Sequence, residues 1–239
     1  MASSFSAELK VALVGYTNTG KTSLMSALTR AEIEVKDELF ATLDANTRII
    51  DPNTRPKILL SDTVGFIRSL PHGLIESFKS TLEELLTANL LLHVVDVSHP
   101  ERDQQMMITE EVLAEIGASD IPMIIVFNKK DLVSDAFILR ILRKKHKKSI
   151  AVCARDIDDM RDLREFIFHF FETQFVETTL QIPSADTSAL SLVYNTCVIL
   201  KADYENQGHV SFKIRGASDT VAKFGDYIVA KEDTEKGAG

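Results

Sequence analysis

The octapeptide Gly15-Tyr16-Thr17-Asn18-Thr19-Gly20-Lys21-Thr22 constrains the fold more than any other stretch, because it joins the apolar run Leu9–Val14 to a segment of helical length, Lys21–Arg30. A strand that turns through glycines straight into a helix aims consecutive backbone amides and the helix N-terminus at one point, and that point attracts an anion. The glycines allow close approach of the main chain. Lys21 reaches the terminal phosphates, Thr22 offers a hydroxyl to Mg2+, and Tyr16, Thr17, Asn18, Thr19 and Ser23 complete the cradle. A Gly-containing loop can match this pattern by chance. The strand before it and the helix after it favour the phosphate reading.

The rest of the chain continues the alternation that this junction starts. Ile58–Ser61, Leu90–Val97, Met123–Phe127 and Ser149–Val152 read as strands, several apolar on both faces, as in a sheet covered on both sides. Glu76–Ala88, Asp103–Ile116, Asp135–Lys145 and Asp159–Phe171 have helical length and periodicity. The expected fold is therefore α/β, a mostly parallel Ras-like P-loop sheet. Asn46–Ile50 and Ile58–Ser61 break the rule: only the turn-rich 51–56 joins them, too short for a crossover helix, so they should pair antiparallel. After Phe171 the pattern changes to a strand (Thr178–Ile182), a helix (Ala185–Thr196), a hairpin (Cys197–Tyr204 with His209–Arg215) and a short helix (Ser218–Phe224). We expect a nucleotide domain over 1–174, a small β-α-β-β-α domain of α+β type over 175–231, and a fraying tail over 232–239.

Composition narrows the class. With 45% apolar and 26% charged residues, 10 Gly and 6 Pro in 239 residues, the chain is neither disordered nor of low complexity. Cys153 and Cys197 stand alone, so neither a disulfide framework nor a paired zinc signature is present. No apolar run is long enough to span a bilayer, and Met1–Lys10 lacks the apolar stretch of a signal peptide, so a cytoplasmic location with no stable membrane insertion is expected. The net charge of −8 excludes a uniformly nucleic-acid-coating surface. It hides one basic segment: Arg140, Arg143, Lys144, Lys145, Lys147 and Lys148 cap the helix whose apolar residues Phe137, Ile138, Ile141 and Leu142 are expected to face the sheet. That segment is either a solvated helix end near the negative pole of the dipole or an RNA phosphate contact.

Two further motifs follow in order. In Asp62-Thr63-Val64-Gly65 a carboxylate at a strand end can hold the Mg2+ shell, and the Gly65 amide can meet a terminal phosphate. Asp-x-x-Gly alone is as common as a turn; its place after the phosphate loop gives it weight. Asn128-Lys129-Lys130-Asp131 follows an apolar strand. A carboxylate there accepts from guanine's ring N–H and exocyclic amine, and adenine would leave it unpaired, so Asp131 should select GTP over ATP.

Gly15–Thr22, Leu39-Phe40-Ala41-Thr42-Leu43-Asp44, Asp62-Thr63-Val64-Gly65-Phe66-Ile67 and Leu70-Pro71-His72-Gly73 together resemble the HflX family of ribosome-associated GTPases, within the translation-factor class. Leu190–Tyr194 and the hairpin after it resemble that family's small C-terminal domain. The resemblance implies a GTP-hydrolysing switch that releases GDP and acts, as a monomer, on the large ribosomal subunit and its rRNA in recycling or rescue. It places Thr42 in the switch that closes over Mg2+ and the terminal phosphate, giving Lys21, Thr42 and Gly65 as the catalytic set and Thr22, Thr42 and Asp62 as the metal set. Sequence alone does not choose between Thr42 and Thr47. By the same comparison Cys153-Ala154 occupies the last guanine loop, where the family has Ser-Ala, and the Ala154 amide reaches the guanine carbonyl. Family members carry an N-terminal domain and a helical linker; the first strand here begins at Leu9, leaving room for neither.

Where Ras has a water-orienting glutamine, this chain has Phe66, so intrinsic hydrolysis should be slow. A ribosomal partner or a potassium ion can complete the site. Asn18 stands where some similar GTPases hold K+, or else it braces the loop. His72 reads better as a turn histidine than as a base. Phe166, Phe168, Phe170, Phe171 and Phe175 read as a core seam. Two other functions remain: a GTP-dependent binding module with little hydrolysis, and an ATP-dependent kinase, disfavoured by Asn128–Asp131.

Overall fold

The structure is a computed structural model and describes residues 8–29, 46–51, 54–62, 85–206 and 208–229. β1 (Leu9–Val14), β2 (Asn46–Ile49), β3 (Ile58–Asp62), β4 (Leu90–Asp96), β5 (Met123–Asn128) and β6 (Ser149–Ala151) form one sheet in the order β2-β3-β1-β4-β5-β6. All neighbours run parallel except β2, which pairs antiparallel with β3, Thr47 facing Ser61. Parallel strands survive only when both faces are covered, and their composition reflects it. β4 is buried at all seven positions, Leu-Leu-Leu-His-Val-Val-Asp, and Val11–Val14 of β1 are equally buried.

Among the described residues, α1 (Lys21–Thr29), α2 (Arg102–Glu115), α3 (Ala136–Lys145) and the first part of α4 (Ile157–Glu172) belong with this sheet. In α2, Met106, Thr109 and Leu113 are spaced to share one buried stripe, and Leu113 packs with Ala12, Val14 and Leu91. Met160, Leu163, Ile167 and Phe171 do the same in α4, while the other phenylalanines of that stretch are half-buried. Of the expected helix Glu76–Ala88 only the helical Leu85–Leu86 and the turn after it are described; residues 76–84 lie outside the described residues.

The α3 face differs from expectation. Leu142 is buried and Ile138 and Leu139 are half-buried against Val95, Ile125 and Phe127, but Phe137 and Ile141 are 60% and 49% exposed. At 3.6 residues per turn, 138 and 142 share one face while 137 and 141 stand about 100° round from it. Asp135 caps this helix by accepting from the Phe137 amide at 2.8 Å.

The chain divides into two compact units inside α4, between Phe166 and Ile167. The second holds an antiparallel sheet, β7 (Phe175–Pro183), β9 (His209–Ala217) and β8 (Val198–Asn206) in that order, with α5 (Thr187–Thr196) and α6 (Ser218–Ala222). On β9 the residues Val210, Phe212 and Ile214 alternate inward and join Leu180, Ile182, Val193 and Phe224 in a separate core. The β-α-β-β-α order matches the reading of the sequence.

Candidate functional site

Every parallel strand carries its C-terminal end to one edge of the sheet, where the register sets Leu13 beside Asp62 and Asp96 beside Asn128. That edge is where open α/β sheets bind ligands. At its centre β1 gives way to the phosphate loop. Gly15 has φ +148°, and a Cβ there would stand 2.3 Å from the Val94 carbonyl oxygen. Gly20 has φ +91°, and its Cβ would meet Asn128 Nδ2 at 2.4 Å. Neither position accepts a side chain. Thr19 Oγ1 donates to the Tyr16 carbonyl at 3.0 Å and the Leu24 amide to the Gly20 carbonyl at 2.9 Å, closing the loop into α1.

Lys21, only 7% exposed, turns its Nζ back into this loop and donates to the carbonyls of Tyr16 (2.9 Å) and Gly15 (3.2 Å). Burial lowers its pKa to about 8, against the raising effect of the Asp62 charge. An amine held by neutral carbonyls in a dry site gains strongly when anionic phosphate oxygens replace them. Beside it Thr22 Oγ1 donates to Asp62 Oδ2 at 2.8 Å, bringing together two of the three expected metal ligands. A hydroxyl and a carboxylate, both hard oxygen donors, fit Mg2+, and Thr22 and Asp62 would hold it together with phosphate and water. Thr42 and Gly65 lie outside the described residues, as do Phe66 and His72. Thr47, the alternative hydroxyl, lies within β2 and is exposed.

The base side is built on the same edge. Asn128, 2% exposed, donates from Nδ2 to the Thr19 carbonyl at 2.9 Å and accepts at Oδ1 from the Ala154 amide at 3.3 Å. One side chain thus ties the phosphate loop to the loop after β6. Lys129 is left-handed (φ +60°), and its Nζ donates to the Asn18 carbonyl at 2.9 Å and pairs with Asp96 Oδ2 at 2.7 Å. Asp131 lies in the 3-10 turn Lys130–Leu132 and hydrogen-bonds the Cys153 thiol, whose pKa burial and this carboxylate push up. Cys153 and Asp131, expected from the sequence in two different base loops, are thus brought into contact.

Two residues were missed by sequence. Asp96 ends β4, takes Lys129 on one oxygen and both the Ser98 amide (3.0 Å) and hydroxyl (2.6 Å) on the other. Burial alone would raise its pKa; these hydrogen bonds outweigh it and hold the carboxyl below its usual range. A carboxylate closing an otherwise apolar strand, Val94-Val95-Asp96, was the available signal. Asp159 is the second, and its partners are Lys130 and Cys153.

A sheet of this order, with a phosphate loop on β1, a hydroxyl–carboxylate metal pair across α1 and β3, and base loops after β5 and β6, defines the class of P-loop GTPase domains. A family model described as 50S ribosome-binding GTPase matches residues 10–129. GTPase HflX of Gluconacetobacter diazotrophicus is 45% identical over 224 residues, 94% of this chain and 49% of that protein. GTPase HflX of Escherichia coli is 37% identical over 207 residues, 86% of this chain and 48% of that protein. A solved GTP-binding protein of Sulfolobus solfataricus in complex with GDP has TM-score 0.53 and 30% identity, covering 67% of this chain and 51% of that one. The chain belongs to the 50S ribosome-binding GTPase family and is similar over most of its length to its HflX proteins. It spans about half the length of the curated relatives it matches.

Proposed function

We propose that the chain is the nucleotide switch of an HflX-like factor: it binds GTP with Mg2+, hydrolyses it slowly to GDP by itself, and does so faster on the large ribosomal subunit. The observation that carries this is Asn128, which links the Thr19 carbonyl to the Ala154 amide. Phosphate and guanine are thereby read by one connected frame. Gly15–Ser23 take the phosphates; Lys21 with Thr42 and Gly65 stabilises the charge that develops on the transferred phosphoryl group; Thr22, Thr42 and Asp62 hold the metal; Asn128, Lys129, Asp131, Cys153 and Ala154 form the base pocket. Phe66 offers no hydrogen bond to the attacking water, which supports the need for stimulation. Asn18 is assigned either to K+ or to the loop itself. Its left-handed φ of +59°, a conformation Asn tolerates, supports the second role.

The nucleotide domain is taken as 1–174 and the C-terminal domain as 175–231. The chain acts as a monomer in the cytoplasm, and none of the helices among the described residues is long and apolar enough to cross a membrane. Exposed Phe137 and Ile141 beside Arg140 and Lys144 on α3 suit rRNA, the cations meeting phosphates and the apolar groups a ribose or base.

Single-turnover GTP hydrolysis is to be measured with and without large subunits, in potassium and in sodium. Stimulation by subunits is the expected result. Tight GTP binding with no hydrolysis under any of these conditions would leave the binding-module reading instead, and fast hydrolysis by the chain alone, indifferent to subunits and cation, would sink the proposal.

A further inference from the structure

Asp159 belongs to none of the nucleotide motifs, yet it is buried, 7% exposed, in the first turn of α4. Its carboxylate is divided between two loops. Oδ1 takes the Nζ of Lys130, and Oδ2 accepts the Cys153 amide at 2.7 Å. Lys130 precedes Asp131, the reader of guanine's ring N–H and amine; Cys153 precedes Ala154, whose amide reads the 6-carbonyl. A backbone bond runs alongside, from the Lys130 amide to the Val152 carbonyl at 3.1 Å. Lys130 is therefore tied to the second loop directly through its amide and, through the Asp159 carboxylate, at its Nζ.

Helix capping does not account for this carboxylate. Asp156 performs that role, its Oδ1 accepting from the amides of Asp158 (2.9 Å) and Asp159 (3.1 Å). A buried carboxylate is costly unless a cation and a hydrogen-bond donor both satisfy it, and here the two that do so come from the two halves of the base pocket. The Ala154 amide meanwhile donates to Asn128 Oδ1 over 3.3 Å, a long bond that competes weakly with a guanine carbonyl.

We propose that Asp159 is a positioning residue for base selectivity: it sets the Cys153–Ala154 peptide against guanine O6 and, through Lys130, the spacing of that peptide from Asp131. The proposal rests on the guanine-nucleotide reading above. The test is calorimetric titration of the whole chain and of Asp159→Asn with GDP, ADP and 6-thio-GDP, in which sulfur, a weak hydrogen-bond acceptor, replaces the 6-oxo oxygen while the ring N–H and exocyclic amine that Asp131 reads are kept. In the unsubstituted protein the exchange should weaken binding by up to about tenfold, the value of one hydrogen bond in a polar pocket. In Asp159→Asn, GDP should bind about tenfold more weakly while 6-thio-GDP loses much less, because the misplaced Ala154 amide no longer distinguishes them. An equal loss for both ligands, or unchanged GDP affinity, overturns the proposal. If Asp159→Asn does not fold, Lys130→Met, at a partly exposed residue, must show the same selective loss in smaller measure, and an equal loss there overturns it too. An unsubstituted chain that binds GDP no better than ADP would overturn the guanine reading itself, which separates that failure from this one.

Discussion

The two sheets of this chain use polar residues in opposite ways. In the six-stranded sheet they sit buried at the carboxyl ends of strands, where Asp62, Asp96 and Asn128 are 2%, 9% and 2% exposed and each joins a different segment, Thr22 of α1, Lys129 and the Thr19 carbonyl. In the three-stranded sheet the charged groups stay outside: Glu177 meets Arg215 at 2.6 Å and Lys213 at 3.5 Å, all partly exposed. Exposed pairs of that kind contribute little to stability. Buried polar groups at strand ends cost stability, so their concentration on one edge of one sheet marks where binding is built. Substitutions should accordingly silence the first unit without unfolding it, and unfold the second without silencing the first.

The largest effect expected is that of Lys21→Ala. It removes the amine aimed at the phosphates and should lower GTP hydrolysis about 10³-fold, the range seen when one such charge-stabilising donor is lost. The fold should persist, since the variant removes a buried charge whose direct hydrogen-bond partners are loop carbonyls. A pH dependence follows from the same amine. Its pKa in the free protein is about 8, and bound phosphates must raise it. Binding therefore takes up a proton above pH 8: GDP affinity should be flat below pH 8 and fall by up to tenfold per unit above it. Titrations from pH 6.5 to 9.5 check this, and the slope should vanish in Lys21→Ala.

Phe212→Ala tests the other half of the contrast. Phe212 is fully buried on β9, with Tyr194 and Tyr204 edge-on to its ring at 5.7 and 6.4 Å. Truncation should cost about 3 to 5 kcal/mol of the second unit's stability. GDP affinity should not change. A parallel loss of affinity would break the division between the units that the contrast rests on.

Much of the nucleotide edge was legible because its determinants are local: the glycines, Lys21 and Thr22 fall within eight residues, and Asn128 to Asp131 follow an unbroken apolar strand. The antiparallel β2–β3 pair was legible from the shortness of its connection. What escaped were pairings between distant segments. Nothing near Asp96 or Asp159 announces Lys129 or Lys130 as a partner, and an acidic residue in a helix's first turn reads as an ordinary dipole or capping feature. The α3 face was misread for a different reason. Four apolar residues at 137, 138, 141 and 142 span too wide an arc for one contact, and periodicity does not say which edge of that arc the sheet covers.

The smallest effect concerns His93, the one ionisable residue among the apolar positions of β4. It is 1% exposed, and its Nδ1 has no hydrogen-bond partner among the described residues. Burial first, then the charges of Lys21 and His146, lower its pKa from 6.5 to about 4. The folded state therefore holds His93 neutral where the unfolded chain would protonate it. Its contribution is complete above pH 6.5 and is lost as pH falls from there toward 4, amounting to about 2 kcal/mol between pH 7.5 and pH 5. The second unit should feel nothing in that window. Its most shifted carboxyl, Asp186, is held at about 2 by the Tyr227 hydroxyl, the Ala189 amide and the Ser188 hydroxyl, so its contribution persists down to the usual carboxylate range and is lost only below it. Urea denaturation at pH 7.5 and pH 5, followed by methyl signals from each unit, should show the midpoint of the first unit falling and that of the second holding. In His93→Leu, which keeps the volume and removes the titration, the first unit should lose that pH dependence. A fall that survives in His93→Leu would place the acid sensitivity at a group other than His93; Asp96 is not that group, because its lowered pKa keeps its contribution intact down to the usual carboxylate range.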